Sequence, residues 1–335
     1  MKYWRDIFMF VDNESWDVEE ICYEHTHIQD VVNEIKKNFD TYFEKYIQTE
    51  AGNGISQEDF EEMKRKMGIS SDEKRQKKDL SQNYKRIIRE AIDDFEKDRD
   101  AYIELFDEEA LEEAEYDPFS FKSKTLKYEC PIIKNTLFSN AKELGKYKSQ
   151  FSISDSNELL QVVQTLSQFG EEYQNDVYDP KTYEDAKQYE DLQLEDMDTE
   201  EFTVYGVIGG GIKSHMMYKV YPNTFPNRSR NAIWALWYLT DKKTFGCKTD
   251  SEFLMIDVGK SFTQQNYFYP YELFAFYAFE IYKLLRDKAA QLGAYIDTDY
   301  RYVIVDSFLS FVENMHDEET SFLKAQIRDG GRGFA

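Results

Sequence analysis

The chain has 335 residues, with 41 Lys and Arg against 65 Asp and Glu, a net charge of −24. Its 25 Phe and 25 Tyr supply the bulk that disordered chains lack, so a folded protein is expected, and at this length two domains are more usual than one. No apolar run approaches the ~20 residues of a membrane crossing, the apolar burst Ile7 to Val11 is too short for a leader peptide, and Cys22, Cys130 and Cys247 are spaced as free thiols, so a cytoplasmic protein without membrane contact is expected.

In chain order, apolar residues from Ile28 to Ile47 recur at helical spacing and stop at Ala51-Gly52-Asn53-Gly54. Ser56 can cap a second helix carrying Phe60, Met63 and Met67, and residues 70–83 read as a solvated loop. The strongest stripe follows, from Tyr84 through Ile87, Ile88, Ala91, Ile92, Phe95, Tyr102 and Ile103 to Phe106. Two helices of this length should pack antiparallel, making residues 1–170 an acidic helical bundle. Asp155 with Glu158 resembles a capping box for a further helix that Gly170 ends. Residues 171–201 hold 13 acids against Lys181 and Lys187 and read as an exposed acidic connector between domains.

Residues 202–329 read as a mixed, aromatic-rich domain, followed by a Gly-rich tail at 330–335. Strands are expected at Phe202 to Ile208, Phe253 to Val258 and Tyr302 to Val305. Helices are expected from about Ile212 to Val220, after Asn227, and from Tyr271 onward. That last helix is apolar almost all round and should lie at the centre of its unit. The expected fold class is mainly α with a few short strands in the C-terminal half, an α+β arrangement.

Charge divides unevenly. Residues 201–335 hold 16 acids and 15 bases, so residues 1–200 carry 65 − 16 = 49 acids and 41 − 15 = 26 bases. Within the second part, residues 204–248 carry seven cations against Asp241 alone, a local +6. Such asymmetry suggests two units with different partners.

The stretch Gly209-Gly210-Gly211-Ile212-Lys213-Ser214 invites a nucleotide-binding reading, but Ile212 stands between the glycines and Lys213, which turns the lysine by about 100° on the helix. Residues 204–226 resemble a helix-hairpin-helix element, with an apolar-Gly-x-Gly turn and then Ile212, Ser214, Met217 and Tyr218 as a packing helix. The resemblance implies backbone amides of the glycine turn meeting nucleic-acid phosphates without reading bases. Gly209, Gly211, Lys213, Arg228, Arg230, Lys242 and Lys243 are the candidate contacts.

Asp250, Glu252 and Asp257, with Lys260, are the ingredients of a divalent-metal nuclease, and only that alternative calls for a cofactor, Mg²⁺. The step Asp257-Val258-Gly259-Lys260 has one residue too many for the usual acid-x-Lys grammar. Cys22 and His25 are three apart with His27 nearby, but a structural zinc site wants four ligands, so no metal site is expected.

The sequence therefore points to a binding or accessory protein that contacts nucleic-acid backbone or a protein partner through a basic glycine-turn face. The alternatives are the metal-dependent nuclease and an oligomeric assembly subunit joined through the aromatic C-terminal unit. Residue usage rich in Lys, Asn, Ile, Tyr and Glu resembles that of low-GC bacteria, where such a chain suits an accessory role of the antiviral-defence type.

Overall fold

The computed structural model describes residues 20–48, 73–141, 144–247, 253–258, 262–266 and 269–330. The expected helix at Ser56 to Met67 and the stop at 51–54 lie outside them. A first helix, α1 (His25–Gln48), follows a short turn at Glu20–Tyr23 and buries Ile28, Val31, Val32, Ile35, Phe39, Phe43, Tyr46 and Ile47, the stripe that its periodicity announces. α2 (Glu73–Glu96) begins inside the stretch expected to be a loop, and its Tyr84 ring meets Phe43 and Tyr46 at 5.2 and 6.4 Å.

The stripe from Tyr84 to Phe106 is not one helix. The chain turns at Lys97 and Asp98, and α3 (Arg99–Leu105) starts afresh. The break has a local cause. The buried Lys219 ammonium donates to the Phe95 carbonyl at 2.7 Å and to Asp98 Oδ1 at 2.5 Å, taking a carbonyl that an uninterrupted helix would offer to the Arg99 amide. Tyr102, Leu105 and Phe106 stay buried across the break, whereas Ile103 faces solvent.

A lateral layer follows. α4 (Glu108–Ala114) is capped by Asp107, which accepts from the Ala110 amide at 2.9 Å; α5 (Pro118–Ser120) is a single turn leading into wide π turns at Phe121–Glu129. Next come α6 (Pro131–Phe138), α7 (Gly145–Ile153) and α8 (Ser156–Glu172). Asp155 caps α8, accepting from the amides of Asn157 and Glu158 at 2.8 and 3.1 Å. Gly170 does not end α8. It lies inside the helix, where a Cβ would stand 2.3 Å from the Tyr221 ring, so its role is close approach.

The acidic segment 171–201 is folded onto the same core. It forms a wide turn at Tyr173–Val177, α9 (Pro180–Glu184) and three 3₁₀ turns ending at Phe202, and it buries Tyr173, Tyr183, Leu192, Leu194 and Met197. Its polar side chains fasten it: Glu184 pairs with Arg286 at 2.5 Å and with Arg301 at 3.2 Å, and the Tyr183 hydroxyl donates to the Thr224 carbonyl at 3.0 Å. Buried residues from both sides of 171–201 belong to one contiguous core.

The C-terminal half is helical, which overturns the α+β expectation. Its helices are α10 (Gly210–Val220), α11 (Arg230–Leu239), α12 (Tyr271–Leu292), α13 (Arg301–Met315) and α14 (Asp317–Gly330). Phe202 to Ile208 is a turn closed by one bridge between Val204 and Ile208, and Tyr302 to Val305 is the first turn of α13. Tyr302-Val303-Ile304-Val305 reads locally as strand, yet Phe308, Leu309 and Val312 continue the apolar pattern at helical spacing, and all seven are buried. Among the described residues, the strand pairing is confined to an antiparallel arm, β1 (Met255–Val258) with β2 (Phe262–Gln265), of which Met255 is buried in the core. α12 runs through the centre against α1, α2 and α13 and ends at Gly293 with φ 67°. Its aromatic residues are spent on this core: Tyr271, Phe274, Phe276, Tyr277, Phe279 and Tyr282 are all buried.

Candidate functional site

The glycine turn opens α10, with Gly209 as its cap. Only a 3₁₀ turn at Glu200–Phe202 precedes it, so the first helix of a helix-hairpin-helix element is missing. At the start of α10 a Cβ on Gly209 would meet open space, whereas Gly210 lies against a side chain. A Cβ on Gly210 would stand 2.7 Å from a guanidinium nitrogen of Arg228, so that side chain lies against this one glycine.

The expected cations divide: Lys213 and Arg228 are interior, while Arg230, Lys242 and Lys243 are exposed. Lys213 and Arg228 are 3% and 5% exposed, and Asp198 is the acid that offsets their charge. Burial, with the Arg228 charge beside it, pulls Lys213 down to about 8, and its ammonium reaches Thr203 Oγ1 at 3.3 Å. Lys242 pairs with Glu319 at 2.5 Å over the rings of Trp237 and Tyr238, and Lys243 pairs with the buried Glu34 at 2.6 Å. Arg230, at the start of α11, remains exposed. Asn227 does not cap α11. Ser229 does, accepting from the Ala232 amide at 3.1 Å, while Asn227 donates to Asp306 at 3.0 Å. Of the nuclease candidates, Asp250, Glu252 and Lys260 lie outside the described residues, and Asp257 is placed only as backbone in β1.

Asn227 leads to a polar cluster that spacing did not announce. A cavity of about 460 Å³ opens between α2, α10 and α13, lined by His215, Lys219, Asp306, Ser307 and aromatic walls including Phe95 and Tyr218. Burial, then the charge of Lys219, pushes His215 down to about 4, so its imidazole is neutral at pH 7. Burial pushes Asp306 up to about 6, against the Asn227 bond and the Lys219 charge, which favour its ionised form. The Ser307 hydroxyl is engaged by Tyr46 at 2.9 Å. The residues come from positions 46, 95, 215, 227 and 306, and no local motif joins them.

A second cluster joins the start of α1 to the loop after α11. Cys22 and Cys247 bring their sulfurs to 3.6 Å across 225 residues of chain, and His27 completes a buried group whose ligand atoms lie within 4.8 Å of one another. His27 Nδ1 lies 3.3 Å from the Phe245 carbonyl, its ring meets Phe245 and Phe253 edge to face, and burial lowers its pKa. In the sequence His27 was only a neighbour of Cys22, and Cys247 stood alone.

The third place is a surface. From Asp100 to Phe121 the chain carries nine carboxylates, Asp100 through Asp117, and no cation; all nine are exposed, and none forms an ion pair among the described residues. At the end of this run Tyr116 is 92% exposed and Phe119 71% exposed. Both belong to one tight turn, in which Asp117 accepts from the Ser120 amide at 3.0 Å. Compared with known proteins, the chain matches no protein-family model, no curated protein and no solved structure.

Proposed function

We propose that the protein works by binding a basic protein partner on the acidic face of residues 100–121. The observation that carries this reading is the pairing of nine exposed carboxylates with the protruding Tyr116 and Phe119. Uncompensated acids repel a phosphate backbone and steer a cationic partner, and exposed aromatic rings give that partner an apolar and cation–π anchor. The competing reading, nucleic-acid contact through the glycine-turn region, needs free cations on one surface. Lys213 and Arg228 are buried, and Lys242 and Lys243 are engaged by Glu319 and Glu34.

The two readings separate in one titration of full-length protein with a labelled Lys- and Leu-rich amphipathic peptide, duplex DNA and single-stranded RNA, at about 50 and 200 mM salt, where screening differs twofold in length. Peptide binding that weakens with salt is expected. Reversing Glu108, Glu109, Glu112 and Glu113 to Lys should abolish it. Nucleic-acid binding that disappears in Arg230→Glu with Lys242→Glu would replace this reading with the phosphate-contact one, and failure of all three probes to bind would remove both.

A further inference from the structure

We infer that Cys22, His27 and Cys247 form a zinc site that ties the start of α1 to the loop after α11. Cys22 lies in the 3₁₀ turn before α1, His27 in the first turn of α1, and Cys247 directly after Gly246. All three are buried, with exposures of 0%, 4% and 9%. In a tetrahedral site with Zn–S bonds of about 2.3 Å the two sulfurs stand about 3.7–3.8 Å apart. The observed 3.6 Å is close to that edge and far from a disulfide bond length of about 2.0 Å.

The histidine supplies the independent sign. Its Nδ1 faces the Phe245 carbonyl at 3.3 Å, an arrangement that places the ring proton on Nδ1 and leaves the Nε2 lone pair available. Nε2 is buried and has no hydrogen-bond partner. A ring nitrogen of His27 lies within 4.8 Å of both sulfurs, and a buried imidazole nitrogen left without a partner is costly unless something takes its lone pair, as a soft divalent cation would.

The loop that presents Cys247 is built to hold one shape. Asp241, Lys242, Phe245 and Gly246 all have φ between 53° and 84°, a region that non-glycine residues enter only when their surroundings require it. This geometry brings the Phe245 carbonyl to His27 and the Cys247 thiol to Cys22. Three protein ligands leave a fourth position for water. Binding converts two thiols to thiolates, so each Zn²⁺ taken up releases two protons and affinity rises with pH.

The test uses the full chain, purified with thiols reduced and metal removed, and titrated with Zn²⁺ and separately with Co²⁺. One Zn²⁺ per chain retained through gel filtration is expected, together with thiolate-to-cobalt charge-transfer absorption and the intense visible bands of a tetrahedral ion. Cys22→Ser and Cys247→Ser should each remove the charge-transfer band or reduce it by about half. Cys130→Ser, a buried cysteine elsewhere, should leave it intact. The cobalt spectrum of the unaltered protein decides the matter even if a variant fails to fold. No uptake by the reduced protein would overturn the site, as would uptake that survives Cys22→Ser with Cys247→Ser. A Cys22–Cys247 disulfide formed on mild oxidation, without Zn²⁺ uptake by the reduced form, would replace it with a redox pair.

Discussion

The C-terminal half and the 100–121 face handle charge in opposite ways. Residues 201–335 are close to neutral, and four of their cations, Lys213, Lys219, Arg228 and Arg301, are buried, while Arg230, Lys242 and Lys243 stay exposed. Residues 100–121 carry nine carboxylates, and every one is left in water. The comparison teaches that a local excess of one sign in a sequence does not define a surface. A cation near aromatic, helix-forming sequence can be taken into the core wherever carbonyls and hydroxyls meet it, whereas acids crowded on a short helix repel one another and stay solvated.

The sharpest way to break this contrast is to remove an interior cation whose partners would be left behind. Arg301 is fully buried, bonded to the Tyr178 hydroxyl at 3.1 Å and the Thr298 carbonyl at 3.2 Å, paired with Glu184, and placed over the rings of Tyr183 and Tyr282. Arg301→Ala should cost about 2–4 kcal/mol in urea unfolding, because it empties a buried space over Tyr183 and Tyr282, leaves the Tyr178 hydroxyl and Thr298 carbonyl without this partner and leaves Arg286 as the one cation holding Glu184.

Lys213 tests the reverse case, an interior cation that the fold tolerates at a cost. Its folded pKa of about 8 lies below its ordinary 10.5, so the unfolded chain binds more protons between these values and stability rises with pH across that window. Lys213→Met should raise stability at pH 7 by about 2–3 kcal/mol and flatten this rise. Unchanged stability at pH 7 would mean that the ammonium is better solvated than its burial implies.

Asp306 should give a smaller effect of opposite pH sense. Its folded pKa of about 6 lies above its ordinary 3.8, so its contribution is present below pH 3.8 and is lost as pH rises through 6. Asp306→Asn should stabilise the protein at pH 7 by about 1–2 kcal/mol and give no advantage below pH 3.8. The smallest effect belongs to the surface. Phe119→Ser should change stability by less than about 0.5 kcal/mol while weakening peptide binding, which separates a docking residue from a core residue.

Several helices were legible in the sequence for one reason: periodic apolar residues bury a stripe whatever lies opposite. The α1 stripe, the Asp155 cap of α8 and the all-round apolarity of α12 are of this kind. The break at Lys97 and Asp98 was hidden, because the residue that causes it, Lys219, lies more than a hundred positions away. Gly170 carried the composition of a stop signal but serves the packing of Tyr221. At the candidate sites, the acidic residues of 100–121 could be read directly, whereas the Cys22–His27–Cys247 group could not, since no spacing links residues 225 apart.

By itself the sequence determined where apolar faces would form, where charge would accumulate and which segments could be helical, because these depend on residues within a few positions of one another. Tertiary structure alone decided that Tyr302 to Val305 is helix, that Lys213 and Arg228 are interior, and that two distant thiols face a histidine. Each of these outcomes depends on burial, and burial is set by neighbours that only the folded chain brings together.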